Sequence, residues 1–248
     1  MKRFLPSLLA VMLCTQCERN DDRSMRTLYE HDYSYKVSEF FRAAEDGNEE
    51  VVRAFLEFGM EPDVEDGFGN RSLSLAAAEG RGDVVKVLVR AGSELEHRNE
   101  NGATPLLAGA GSGDHRVVEE LLGAGADPTI RDTTGWGVLT KAVVSEDVQT
   151  VESLVRVVPD QKNEALLMAA VQGAVEVIEV LLSHGADIDT RSTDGMTPLM
   201  YASRGGYEEA VSLLVYHGAN ASLRNVEGER ATDLAKSQKV KEVLAALR

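Results

Sequence analysis

Cysteine is nearly absent from this sequence: among 248 residues only Cys14 and Cys17 occur. Both lie near the start, so no disulfide framework can hold the rest of the chain together. Aromatic residues make up 5%, with a single tryptophan, Trp136, too few for the packed inner faces of a β-sandwich. Positive charge is short as well, with 26 Lys and Arg against 41 Asp and Glu and a formal net charge of −15. A surface of that sign repels phosphate backbones and anionic lipid, which argues against nucleic-acid binding. What the chain does have is 43% hydrophobic residues, enough for a buried core, and 22 glycines. That balance suits small-residue helix packing between short turns.

The first residues have the layout of a secretory signal peptide. Lys2 and Arg3 precede an apolar run over residues 4–14, and a polar stretch follows. The run is well short of the roughly 20 residues that span a bilayer as a helix, so no transmembrane helix is expected. Removal of residues 1–17 would leave an exported chain without thiols and with a net charge of −17. Cys14 and Cys17 also resemble the lipid-modified cysteine of bacterial lipoproteins. Neither has the small residue immediately before it that the lipoprotein pattern carries.

A period of 33 residues runs through the remainder. Taking Thr104 of Gly102-Ala103-Thr104-Pro105-Leu106 and Thr197 of Gly195-Met196-Thr197-Pro198-Leu199 as anchors, the same position falls on Ser38, Arg71, Thr104, Gly137, Glu164, Thr197 and Arg230. The steps are 33 residues except the fourth, which is 27. Five and six residues past the anchor small pairs recur, such as Ala43-Ala44, Ala76-Ala77 and Ala169-Ala170, which let helices approach closely. Nine past it stands Gly47, Gly80, Gly113, Gly173 or Gly206. A second apolar set at i, i+1, i+4, i+5 follows, as in Val84-Val85-Leu88-Val89, which is one face of a helix. Gly59, Gly92, Gly125, Gly185 and Gly218 then stop it. Each unit therefore reads as helix, turn, helix and polar connector, with Thr capping the first helix and Pro in its first turn.

These motifs resemble the ankyrin repeat family, whose signature D-x-x-G-x-T-P-L-H-x-A-A-x-x-G and later G-A-D are closely met over residues 99–127 and 192–220. The resemblance covers residues 37–248 and implies an all-α solenoid of about seven helix-turn-helix units with short β-hairpin fingers. It also identifies the chain as similar to exported bacterial ankyrin-repeat proteins, periplasmic or lipid-anchored. Residues 18–36 form a charged lead-in, expected either to strap its tyrosines over the open side of the first repeat or to act as a flexible partner-binding arm. The family's signature His is replaced by Phe41, Ser74, Leu107, Thr140, Leu167, Met200 and Asp233, so its loop bonds must be made otherwise. Repeat four departs most, with Gly137 for the capping Thr and Glu146 for the turn glycine. Six residues are missing from its connector, which predicts an absent or stubby finger and a notch before repeat five.

Catalytic and metal-binding constellations are lacking. His31, His97, His115, His184 and His217 are scattered without ligand spacing, and no G-x-S-x-G setting or Gly-Lys-Ser/Thr phosphate loop occurs. Neither an enzyme nor a cofactor or metal site is expected. The resemblance implies a protein-binding module whose ligand surface is built from finger tips and the ends of the first helices. Carried over by position, it gives Phe68, Asn70, Glu79, Asn101, Ser112, Thr134, Trp136, Gln172, Asp194, Met196 and Arg204. Phe68, Trp136 and Met196 stand out because large apolar groups on loop tips have no core to fill, unless each folds down over the adjacent finger. Arg98, Arg131, Arg191 and Arg224 recur before the tips and are expected to pair with neighbouring Asp66, Asp132 or Asp189 in a ladder, the alternative being a receptor for phosphate or carboxylate. The expected partner is a protein with a basic surface, bound by a monomer. Within a cell envelope the role is that of a general binding factor, or of an immunity protein that neutralises an exported toxic enzyme, or of a stress-protection factor.

Overall fold

Thr104 and Pro105 show how each unit begins. Thr104 is extended, its Oγ1 accepts the Leu107 N–H at 3.4 Å, and Pro105 fills the first helical position, where no donor is needed. The computed structural model describes residues 21–31 and 34–246; the export signal and Cys14 and Cys17 lie outside them. Within the described residues the chain is a helical solenoid. After α1 (Asp21–Glu30), the first helices of the seven units are α2 (Val37–Asp46), α4 (Ser72–Ala78), α6 (Pro105–Ser112), α8 (Val138–Ser145), α10 (Lys162–Gln172), α12 (Pro198–Gly205) and α14 (Ala231–Leu234). Their partners are α3 (Glu49–Glu57), α5 (Gly82–Arg90), α7 (His115–Gly123), α9 (Val148–Val157), α11 (Val175–Ser183), α13 (Glu208–Tyr216) and α15 (Gln238–Ala245).

First helices stack on first helices and second on second, through the small pairs on one side and the apolar quartets on the other. Ala76, Ala77, Ala110, Ala142, Ala169 and Ala202 are fully buried, as are Val84, Leu88, Val117, Leu121, Ile178 and Leu214. Burial of one such Val or Leu contributes about 1.5–3 kcal/mol, and both the partner helix and the neighbouring unit supply the cover. Within repeat three the two helices come close at Gly109, where a Cβ would lie 2.5 Å from Val117 Cγ1.

The fingers are turns, not the expected β-hairpins. Among the described residues there is no strand, only an isolated bridge between Glu65 and Arg71. The tip Asp or Asn explains why. Asp66 Oδ1 accepts the N–H groups of Phe68 and Asn70, both at 2.8 Å; Asn99, Asp132 and Asn225 do the same at their own tips. These side-chain bonds take donors that a hairpin ladder would use.

The arginine ladder exists, but its acceptors are not the expected carboxylates. Arg98 donates to the Arg131 carbonyl at 2.6 Å and Arg191 to the Arg224 carbonyl at 3.0 Å, each one finger onward. Arg131 and Arg224 have no following finger and fold back onto the carbonyls of Gly135 and Gly228 in their own turns. Asp66 and Asp132 are engaged in closing their tips, and Asp189 accepts the Asn220 N–H at 2.9 Å.

Repeat four lacks its finger, and Gln161 takes over part of its work. The connector after α9 is a single 3₁₀ turn, Pro159–Gln161, that runs directly into α10. Gln161 is buried; its Oε1 accepts the Leu139 N–H at 3.3 Å and its Nε2 donates to the Pro128 carbonyl at 3.3 Å. It thus caps α8 from 22 residues away, in place of the missing Thr. Gly137 belongs to the same device, because a Cβ there would sit 2.2 Å from Gln161 Oε1. Arg131 also pairs with Glu164 Oε2 at 2.8 Å across this junction.

Both ends are covered. Leu28 of α1 is buried in the core, Met25 packs against it, and Ser24 donates to Glu57 Oε2 at 2.6 Å. The lead-in is therefore partly a capping helix, while Tyr35 stacks on Phe55 at 5.6 Å between ring centroids, as expected of a strap. At the other end Lys239 pairs with Glu208 at 2.9 Å.

Replacement of Gln161 by Ala leaves the buried Leu139 N–H without a partner and should cost about 1–3 kcal/mol. Urea denaturation of Gln161→Ala checks this. It should be accompanied by faster hydrogen exchange in α8, and a variant as stable as the parent would remove the capping role.

Candidate binding surface

Lys141 fixes which side of the first helices the fingers overhang. It lies four residues past its anchor, in α8, and its Nζ sits 2.8 Å from Asp132 Oδ2 and 5.0 Å from the centre of the Trp136 ring. The surface facing the fingers is therefore the row four and seven residues past each anchor: Arg42 and Glu45, Leu75 and Ala78, Ala108 and Gly111, Lys141 and Val144, Met168 and Val171, Tyr201 and Arg204. The first of each pair is half-buried except Arg42, and the second is exposed throughout.

The expected contact residues divide into three groups. Phe68 is 68% exposed at its tip, and Glu79, Asn101, Thr134, Asp194 and Arg204 are exposed as well. Asn70, Ser112, Trp136 and Gln172 are half-buried. Asn70 donates to Asp66 Oδ2 at 3.0 Å, and Ser112 donates to the Gly109 carbonyl at 2.7 Å, so both have structural work. Met196 corrects the sequence reading. It is only 3% exposed, because it follows Gly195 (φ +71°) as the chain turns inward from the tip, and its sulfur accepts from Asn225 Nδ2 at 3.5 Å. It fills core space and presents nothing at the tip.

What the positional list passed over is the apolar character of the middle of this face. Val144 and Val171 are 41% and 42% exposed. They flank Met168, and Tyr201 continues the row with the Arg204 guanidinium 5.2 Å from its ring centre. Tyr207 lies over Gly173 and Gly205, where a Cβ would come within 2.4 and 2.1 Å of its ring. The signal was available: the same two positions past each anchor hold small or apolar residues in units two to five, Lys141 apart.

The charge on the face is uneven. Glu45, Asp46 and Glu79 lie toward the N-terminal end and Arg204 toward the C-terminal end. Between them on the helices Lys141 is neutralised by Asp132, and the tips above add exposed Glu100 and Asp194. Burial works to raise the Asp132 pKa, but bonds from Lys141, Thr134 and the Trp136 N–H outweigh it and hold the carboxyl at about 2. No cluster of three or more His, Cys, Asp or Glu among the described residues is arranged to hold a metal ion. No helix among them is long and apolar enough to cross a membrane.

The sequence matches the ankyrin repeats family model in three overlapping copies, over residues 40–132, 107–192 and 139–225. The chain belongs to the ankyrin repeat family. Among solved structures it is similar to the human ASB11 ankyrin repeat domain, with a TM-score of 0.79 and 26% identity over 84% of this chain and 97% of that one. It is also similar to the ankyrin repeat domain of Bcl-3, a member of the IkappaB protein family, with a TM-score of 0.70 and 26% identity over 83% and 97%. No curated protein matches the sequence. Ankyrin repeats are in general protein-interaction modules, so the overhung face described above is the natural place to look for a protein partner.

The Asp132 bonds anchor this ankyrin finger to α8, and they should appear as a pH dependence of stability. The carboxyl is lowered from its ordinary 3.8 to about 2, so its contribution, at most about 2 kcal/mol, is present above the unfolded-state pKa and is lost as pH falls toward 2. Denaturation of the parent and of Asp132→Asn at pH 6, 4 and 2 should show a stability difference that narrows between pH 4 and 2. A difference independent of pH over that range would show that the Lys141 pairing contributes nothing.

Proposed function

We propose that this ankyrin-repeat protein is a non-enzymatic binding module of a bacterial cell envelope, which holds a protein partner on the face formed by its finger tips and first helices. The observation that carries the reading is the uncovered apolar surface on that face, with Phe68 at a tip and Val144 and Val171 on the helices, in a chain otherwise rich in carboxylates. Apolar groups held on a rigid scaffold without a core to fill are the material of binding hot spots. Glu45, Glu79, Glu100 and Asp194 surround them with negative charge, which complements a basic partner and speeds its approach.

Export is part of the proposal. The basic start, short apolar run and polar break of residues 1–17 support delivery outside the cytoplasm, with lipid attachment at Cys14 or Cys17 as the variant form. Intact mass of the native protein tests this. Loss of the leader, or added acyl mass on one of the two cysteines, agrees with export, and a chain still beginning at Met1 among cytosolic proteins contradicts it. In an envelope the binding role takes the form of a general partner-binding factor, an immunity protein or a stress-protection factor.

Capture from an envelope extract should yield a basic protein that binds the monomer. Phe68→Ala, at a largely exposed side chain, should raise the dissociation rate with a cost on the order of 2 kcal/mol. Trp136→Ala should do the same. Added salt should chiefly slow association, because exposed charges are screened within about 8 Å at physiological ionic strength. An acidic partner, an association rate indifferent to salt and an unchanged Phe68→Ala complex would together contradict the reading.

A further inference from the structure

The first finger breaks the arginine ladder. Six residues before their anchors the other fingers carry Arg98, Arg131, Arg191 and Arg224, but the first carries Glu65. Those arginines donate to carbonyls of the finger row, Arg98 and Arg191 one finger onward and Arg131 and Arg224 at Gly135 and Gly228 of their own turns. A carboxylate only accepts, so Glu65 cannot do this, and it pairs with Arg71 at 2.7 Å instead. A second support is missing as well. Thr133 and Val226 donate their main-chain N–H to the tip before them, on the carbonyls of Asn101 and Asp194. Glu100 holds the same place in the second finger and makes no such bond to the Phe68 carbonyl among the described residues.

His97 supplies the tie. It stands seven residues before its anchor, where the other fingers hold Val64, Ile130, Thr190 and Leu223. Its Nε2 lies 2.8 Å from the Gly69 carbonyl, inside the first tip. A carbonyl only accepts, so Nε2 carries the hydrogen and donates it. The ring itself is well held, with the side chain 17% exposed and Nε2 3.7 Å from Glu65 Oε1. Among the described residues this is the one hydrogen bond that joins residues 66–70 to the second finger. Gly69 is at φ +70° and no group lies within 4 Å of where its Cβ would sit, so packing does not fix the tip there. The held carbonyl is one residue from exposed Phe68. A loop that must be ordered when a partner arrives loses affinity, and one fixed beforehand keeps it.

We propose that His97 is a positioning residue for binding: from the second finger it holds the first tip in the conformation that presents Phe68, without touching the partner itself. This rests on the reading that the finger face binds protein. The test uses the full chain and the protein it captures from the envelope extract, with His97→Ala, His97→Gln, Phe68→Ala and the His97→Ala/Phe68→Ala double variant. Gln keeps a side-chain N–H donor and lacks the ring.

In His97→Ala the amides of Phe68 and Asn70, which close the tip on Asp66, should exchange about fivefold faster while those of α4 keep their rates. Affinity should fall about three- to tenfold. His97→Gln should return both toward the parent values. In the Phe68→Ala background, loss of His97 should change affinity by less than about twofold, because the two residues act through one contact. Tip amides that exchange as in the parent overturn the positioning role, as does a His97→Gln variant as weak as His97→Ala or an equal loss of affinity in both backgrounds. A His97→Ala chain that loses protection throughout α4 and α6 shows a general structural role and overturns it too. If Phe68→Ala weakens the complex and His97→Ala does not, the positioning role is wrong and the binding face stands. If Phe68→Ala leaves the complex unchanged, the reading of the face fails and the proposal with it.

Discussion

The structure depends on one constraint: no repeat can bury its own apolar face. A pair such as α6 and α7 has a small-residue side and an apolar side, and each is covered only when the next unit stacks on it. This explains why Ala recurs where first helices meet and why both ends need special covers. It also frees one surface. Since core formation uses the sides that face neighbouring units, the row under the fingers is left to vary, and here it varies from acidic through apolar to basic.

Repeat four shows how the stack tolerates a defect. Its cap, its turn glycine and its finger are all altered, yet Gln161 restores the cap from the following connector and Gly137 gives that side chain its room. Glu146 takes the left-handed turn conformation (φ +58°) that glycine adopts elsewhere. The row of fingers is interrupted at this point. Tips one to three and tips five and six each touch their own neighbours, as when Thr133 donates to the Asn101 carbonyl at 3.1 Å and Val226 to that of Asp194 at 3.1 Å. Trp136 stands at the edge of the interruption with Lys141 against its ring.

The period, the Thr-Pro starts and the glycine stops made the fold legible, because each is a local rule repeated in register. The missing finger was legible for the same reason, as a 27-residue step. The cap supplied by Gln161 was not, since the bond joins residues 22 apart and no short pattern announces it. Met196 misled because its neighbours Asp194 and Gly195 are tip residues, and only the turn at Gly195 decides that the next side chain points inward. The arginine ladder was half legible: a recurring cation was plain, but carbonyls of the next turn compete for a guanidinium as well as carboxylates do. The apolar row became visible once Lys141 showed which side of the helices lies under the fingers.

The central claim is that the overhung face, and not the outer helices, holds the partner. Hydrogen exchange of the protein alone and with its captured partner tests this most directly. The account predicts added protection in the tips around Phe68, Asn101, Thr134 and Asp194 and at the ends of α4, α6, α8, α10 and α12. Protection confined to the outer helices α3, α5, α7, α9, α11 and α13, with those tips and helix ends unchanged, would contradict it.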